Sequence, residues 1–392
     1  MTEFKKKYGF NRSAVTLENW RQRPYSTWSF QHANEIVPSA VIPRDPDSVL
    51  SPEQTTSDFA EQKITIKEQK LSVENFLKQS ETDICLVNKA RKRILSWQAP
   101  HACAHKPHII FSISKSFTGI LAGQLVDAGS LDLEKTVGYY LPEAKSSGFA
   151  DCSLQHLLDM RVSIRFSEEY LNQDGDYARY RRATAWNPRS ADQKEEGLAE
   201  FLFSLPKRQA QHGGPFHYLS PASDLLGLLV ERVAGVPYSQ LMSENLWQPL
   251  KAEHNAMITL DHLGAPRGAG GISVHAEDLL RLGEMLRLGG QINNKQIVSQ
   301  RWLDDMLSAG DAKAWKQGNF ADFLPEGRYR NQWYQLDSPD KAFLAVGIHG
   351  QWLYVIPEKE IVIVKLSSQN LPQDDTLDAG CLEFFSEINK IL

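Results

Sequence analysis

The sequence predicts an α+β protein: an α/β sandwich with an antiparallel sheet drawn from both chain ends, and a mostly helical domain inserted between them. Three observations carry this. Strand-like runs lie near both ends, at 84–99 ("ICLVNKARKRILSWQA") and 343–368 ("FLAVGIHGQWLYVIPEKEIVIVKLSS"). Helical patterns fill the stretch between them. The chain has 392 residues, 42% hydrophobic and 23% charged, enough for one large core or two domains that share one. The expected division is 1–111 and 268–392 for the α/β domain, including an N-terminal arm, and 112–267 for the helical domain, with a lid at 165–190.

Residues 1 to 75 are polar and irregular, with Trp20, Tyr25, Trp28 and Phe30 spaced through them, which predicts an arm lying over a larger body. The run 84–99 reads as strand, turn, strand. In "FSISKSFTGILAGQLVDAG", Phe117, Ile120, Leu121, Leu125 and Val126 recur at helical spacing and Gly129 supplies the stop. "SLQHLLDMRV" (153–162) predicts a short helix, and 165–190 shows no clear period, as a lid would. "SPASDLLGLLVERVAGVPYSQLMSENLW" (220–247) predicts two helices about a Gly-Val-Pro break. "HAEDLLRLGEMLRLGG" (275–290) predicts another helix. The run 343–368 reads as two strands about a Pro-Glu-Lys turn, and "DAGCLEFFSEINKIL" closes the chain as a helix.

Ser112 and Lys115 stand three residues apart in the first turn of the predicted buried helix, on one face. A serine hydroxyl needs a neighbouring base to act as a nucleophile, and a lysine becomes a base when burial lowers its pKa. Ile113, Phe117 and Ile120 flank Lys115 and favour burial. The helix start offers backbone N–H groups to an oxyanion. Ser-x-x-Lys also arises by chance as a capping serine and a solvated lysine, so its context has to decide. Downstream, "FHYLSPASD" puts Tyr218 just before a helical pattern.

Ser112-x-x-Lys115, Tyr218-Leu-Ser220 and "GIHGQ" together resemble the serine β-lactamase and penicillin-binding superfamily, in its class C and esterase-like branch. "GSLDLEKTVGYYLPE" and "FHYLSPASDLLGLLVERVAGVPY" follow the same phrasing in the same order. "WSFQHANEIVPSA", Tyr170 and Trp186 are similar to the 6-aminohexanoate-dimer hydrolases, which cleave nylon oligomers, and the similarity runs over nearly the whole chain. The resemblance implies a β-lactamase/transpeptidase-like fold and a serine hydrolase that works through an acyl-enzyme. In it Ser112 attacks, Lys115 takes or shuttles the proton, and Tyr218 protonates the leaving group. The N–H groups of Ser112 and Ile348 form the oxyanion hole, Tyr170 assists amide cleavage from the lid, and Trp186 walls the pocket. His349 neighbours the site, with packing or positioning as its expected role. No metal or organic cofactor is implied. The substrates would be small carboxylic esters and linear amides such as 6-aminohexanoate oligomers.

The pattern departs in three places. The strand that closes the site reads Ile348-His349-Gly350-Gln351 where β-lactamases and penicillin-binding proteins carry Lys-Thr-Gly, which lowers the expectation of a β-lactamase or D-alanyl peptidase. The lid reads "DYARYRRATAW", with Arg181 where efficient nylon-dimer enzymes carry an acid. A cation there attracts a carboxylate and repels an ammonium, so acidic or neutral acyl groups are expected. Ala269 stands where those enzymes place a polar contact. A non-catalytic ligand-binding protein on the same fold is the competing class.

"HACAHKPH" gathers His101, Cys103, His105 and His108, but matches no standard zinc spacing. The four cysteines are scattered, as in a reduced, cytoplasmic protein. A net charge of −5 without a basic run excludes support for a nucleic-acid partner. No secretory leader is visible and no apolar run approaches the ~18 residues of a membrane span. The only partner called for is the small-molecule substrate. Oligomeric state stays open, with room for a homodimer.

Overall fold

Every residue of Ile361–Ser367 ("IVIVKLS") is buried, the mark of a strand covered on both faces. In the computed structural model, which describes residues 2–50, 58–308 and 310–392, this strand lies inside a seven-stranded antiparallel sheet. Across the sheet the order is Gly327–Arg330, Trp333–Leu336, Phe343–Gly347, Gln351–Ile356, Ile361–Ser367, Thr82–Lys89 and Lys92–Gln98. The sheet therefore joins the two ends of the chain, with Ile363 opposite Val87.

Alternate residues of the strand serve two cores. Ile361 and Ile363 face a cluster with Trp352, Tyr354 and the C-terminal helix, Asp375–Ile391, whose Phe385 ring lies 4.7 Å from Tyr354. Val362, Val364 and Leu366 face the larger core, into which the helix Ala276–Arg287 inserts Leu279 and Leu282. Gly283 lets this helix sit close. A Cβ there would meet Val362 Cγ1 at 2.5 Å.

A second sheet orders Ser39–Ile42, Ala256–Thr259, Ile272–Val274 and His108–Ile109. It draws one strand from the stretch expected to be helical and leads directly into the helix Ile113–Asp127, which packs against Ser220–Ala234. The arm covers the body as expected: Trp20, Trp28 and Phe30 form a cluster with Phe111 and Trp186.

Three other readings change. The run 343–368 makes three strands, because His349 and Gly350 take positive φ and turn the chain between Gly347 and Gln351. The lid contains a helix, Asp176–Ala183, held by buried Tyr177 and Tyr180. The C-terminal helix starts three residues before the expected 378, where Asp374 caps the N–H groups of Thr376 and Leu377.

Candidate active site

Strand His108–Ile109 ends on Phe111, held at φ 44, a left-handed conformation that is strained for a phenylalanine. The turn this forces presents Ser112 at the head of the helix Ile113–Asp127. Ser112 occupies the N-cap position, yet its side chain caps nothing. Its Oγ instead accepts from Lys115 Nζ at 2.9 Å and from the Tyr218 hydroxyl at 2.7 Å. The capping serine and solvated lysine are thus both excluded by geometry.

Lys115 is 2% exposed. Its Nζ also donates to the Ala269 carbonyl at 2.7 Å and lies 4.9 Å from the centre of the Tyr218 ring. Burial brings its pKa down to about 7, with Glu168 and Asp224 opposing the shift and Arg267 adding to it. The amine is therefore poised to take a proton near neutral pH. Burial pushes the Tyr218 phenol well above its ordinary value, helped by Tyr334 and Glu168, so this group holds its proton.

The helix Ser220–Ala234 starts just after Tyr218 and brings Asp224, fully buried, to the other side of Lys115. Asp224 accepts from Ala269 N at 2.7 Å, from Arg267 at 2.9 Å and from the Tyr180 hydroxyl. It thereby fixes the loop whose carbonyl holds Lys115. Ala269 accordingly acts through its backbone, not its side chain.

The other wall is the turn after Phe343–Gly347. Gly347 passes so close to the nucleophile's strand that a Cβ would meet the Ile110 carbonyl at 2.5 Å. Ile348 and Ser112 both line one cavity of about 460 Å³, together with Tyr170 and Tyr218. His349 is turned away. Its Nδ1 bonds the Gln369 carbonyl at 2.7 Å, its ring packs on Phe30 and Phe111, and burial lowers its pKa to about 4. It fastens the turn as a neutral ring.

Trp186 stands behind the nucleophile, 5.9 Å from the Phe111 ring, and bonds Thr259. It does not line the cavity. Neither does Arg181, which is 8% exposed and donates to the Tyr170 and Asn172 carbonyls at 3.0 and 3.4 Å. The cation expected to meet a substrate carboxylate is turned into the lid and holds it shut on itself. The cavity lining instead includes Asp322, Asp375 and Asp378 and no lysine or arginine.

Sequence reading missed Glu168 and Tyr334. Glu168 accepts from the Tyr170 hydroxyl at 3.0 Å and from Ser220 N at 2.7 Å, and so ties lid to catalytic helix. Tyr334 lines the cavity from the sheet. Neither sits in a motif, and nothing in the sequence reading pointed to either.

For metals, His101 and His108 both bond Asp83, at 2.7 and 3.0 Å, which gives the histidine-rich turn a structural role. Among the described residues, His254, His275 and Asp278 form one group of metal-ligand types, but the two imidazoles stack face to face at 3.8 Å. That stacking does not direct both rings' lone pairs to one point.

A buried amine and a phenol that meet on one serine oxygen form an arrangement able to support acyl transfer. The β-lactamase family model matches residues 90–380, nearly three quarters of the sequence. The chain belongs to the β-lactamase family. Within it, the chain is 32% identical over 362 residues to the 6-aminohexanoate-dimer hydrolase of Paenarthrobacter ureafaciens, covering 92% of this chain and 89% of that one. To the β-lactamase of Escherichia coli K12 it is 21% identical, over 69% and 77% of the two chains. A solved structure from Bacillus anthracis, provisionally named a 6-aminohexanoate-dimer hydrolase, superposes with a TM-score of 0.88 at 23% identity, over 97% and 98% of the chains. A class C β-lactamase superposes at 0.56 and 16% identity, over 80% and 95%. The fold is β-lactamase/transpeptidase-like, and the protein is a serine hydrolase of that superfamily. No helix among the described residues is long and apolar enough to cross a membrane.

Proposed function

We propose that the protein hydrolyses small carboxylic esters, and linear amides of the 6-aminohexanoate kind, by a Ser-Lys-Tyr acyl-enzyme mechanism. The observation that carries this reading is the convergence of Lys115 Nζ and the Tyr218 hydroxyl on Ser112 Oγ, at 2.9 and 2.7 Å. Neutral Lys115 takes the Ser112 proton as Oγ bonds the carbonyl carbon. The backbone N–H groups of Ser112 and Ile348 receive the developing oxyanion. Tyr218 gives its proton to the departing alkoxide or amine and regains one from Lys115. Water then repeats the sequence on the Ser112 ester and frees the acid.

Amides place the heavier demand on proton delivery. Tyr170, whose hydroxyl is anchored by Glu168 and which lines the same cavity, is the second group within reach of a leaving nitrogen. The absence of a lysine from Ile348-His349-Gly350-Gln351 weighs against β-lactams as substrates.

The test is hydrolysis of p-nitrophenyl acetate, butyrate and octanoate beside the linear 6-aminohexanoate dimer, for wild type and Ser112→Ala. Ester turnover that falls on the order of 10⁴-fold or more in the variant is expected. The dimer then separates linear amidase from esterase. No turnover by wild type, with a permanent adduct or none by intact mass, would move the reading to a ligand-binding protein.

A further inference from the structure

Three arginines gather behind the lid with too little negative charge to match them. Arg181 comes from the lid helix Asp176–Ala183, Arg21 from the arm, and Arg267 from the loop whose Ala269 carbonyl receives Lys115. The Trp186 ring links two of them: the guanidinium carbons of Arg21 and Arg267 lie 5.7 and 4.4 Å from its centre. Tyr177 and Tyr180, with rings 5.7 Å apart, link the third. Arg181 sits 5.0 Å from the Tyr177 ring, and Arg267 sits 4.5 Å from the Tyr180 ring. Among the described residues only Arg267 has an acid partner, Asp224 at 2.9 Å. Arg21 donates to the Trp186 carbonyl and the Asn187 side chain, and Arg181 to the Tyr170 and Asn172 carbonyls, all neutral acceptors.

The neighbouring groups do not make up the difference. Glu168 is engaged by Tyr170 and Ser220. Burial and Glu168 push the Tyr177 phenol up to about 12 in spite of the arginines, so it stays neutral. Burial, then Arg181 and Arg267, bring Arg21 down to about 9, with Tyr177 opposing. A second observation points to a missing acceptor. The Nε atoms of Arg181 and Arg267 are buried without a hydrogen-bond partner among the described residues, on side chains that are 8% and 2% exposed. A buried N–H normally has an acceptor, and a buried cation normally has an anion. There is also room beside Arg267. A Cβ on Gly270 would lie 3.7 Å from the Trp186 ring and 3.9 Å from Arg267 Nε, with no clash.

We propose that Arg21, Arg181 and Arg267 form a site for one small inorganic monoanion of halide size, held by the Nε–H groups of Arg181 and Arg267 and by the charge of Arg21. The anion gives the cluster the compensation that Asp224 alone does not. It is a structural ligand and not a substrate, since neither Arg181 nor Arg267 lines the cavity at Ser112. It fastens three segments that are distant in sequence: the arm, the lid helix and the loop at Lys115. The assignment goes beyond the Ser112 chemistry and does not depend on it.

Equilibrium dialysis against radiolabelled chloride, after exchange into sodium gluconate, tests the site without turnover. The gluconate anion is too large for a halide site. Wild type is expected to bind about one chloride per chain, and its thermal midpoint should rise as chloride replaces gluconate. Constant ionic strength keeps general screening out of the comparison. Arg181→Gln removes one cation and its Nε–H while leaving an amide to donate to the lid carbonyls. Gly270→Ala places a methyl in the space beside Arg267. Each should weaken chloride binding by about tenfold or more, and Arg181→Gln should remove the chloride dependence of the midpoint. Hexanoate should not displace the chloride; displacement would assign the cluster to a carboxylate-bearing ligand instead. No chloride bound by wild type, equal midpoints in chloride and gluconate, or binding unchanged in both variants would overturn the proposal.

Discussion

In the proposed mechanism Lys115 must be neutral before it can take the Ser112 proton. Burial sets its deprotonation at about pH 7, and Glu168 pulls it upward by favouring the ammonium. The ascending limb of kcat/KM for p-nitrophenyl butyrate is therefore expected near pH 7, because activity needs the neutral amine. Glu168→Gln removes an anion that stabilises the charged form, so the limb should move to lower pH. A pH–rate profile of the two proteins checks the sign, and an unmoved or raised limb would remove Lys115 from the role of base. Tyr218→Phe deletes the proton donor while Lys115 stays, so amide cleavage should suffer more than activated-ester cleavage. The ratio of dimer to p-nitrophenyl ester turnover measures this. Ser112, Lys115 and Tyr218 stood out in the sequence because the Ser-x-x-Lys spacing and the Tyr-x-Ser segment together resemble the superfamily's motifs, which neither segment does alone. Asp224, Glu168 and Tyr334 reach the site through space, from three segments whose meeting no spacing encodes.

Two glycines separate stability from catalysis at the level of elements. Gly283 lets the helix Ala276–Arg287 lie on the sheet, and a methyl there would strike Val362 and Leu353. Gly283→Ala is expected to cost about 1–3 kcal/mol, read as a lower urea midpoint, with activity per folded molecule kept. Gly347 holds the turn that carries Ile348 against the strand that leads to Ser112. In Gly347→Ala the new Cβ meets a backbone carbonyl that cannot swing aside, so kcat should fall more than stability does. Parallel kcat and urea measurements on both variants decide, and equal losses in the two would show that Gly347 has no special bearing on the turn. The strands at 343–368 also show where sequence reading stops. Their strand character was visible, but the turn at His349 and Gly350 is short and places a histidine in a glycine-like conformation, so three strands read as two. The lid helix was hidden for a related reason: arginines at 179, 181 and 182 break the apolar period that Tyr177 and Tyr180 supply.

At the scale of the molecule the arm is part of the site's foundation. Trp20 is fully buried, its ring lies 5.3 Å from Trp186, and its indole N–H donates to the Trp186 carbonyl at 3.3 Å. Trp20→Ala should cost about 3–5 kcal/mol and loosen the support behind Phe111, with denaturant unfolding as the check. An arm that were mere decoration would give a change near zero. That an arm covers the body, and that strands at both ends share a sheet, could be read from aromatic spacing and strand patterns. The cavity could not, because its acids sit on segments far apart in sequence, and charge alone does not say which way a side chain turns. The closure of the sheet has a consequence for biosynthesis. Lys365 lies against Ser80, 285 residues earlier, so the central strand pairing waits for almost the whole chain to leave the ribosome. Until then the strand 82–89 has an open edge, and the turn that carries Ile348 has no completed sheet to hold it beside Ser112. A nascent chain that stalls or is clipped before residue 361 is thus both inert as an acylating agent and prone to pair its open edge with a neighbour, so synthesis itself withholds the chemistry until the last strand arrives.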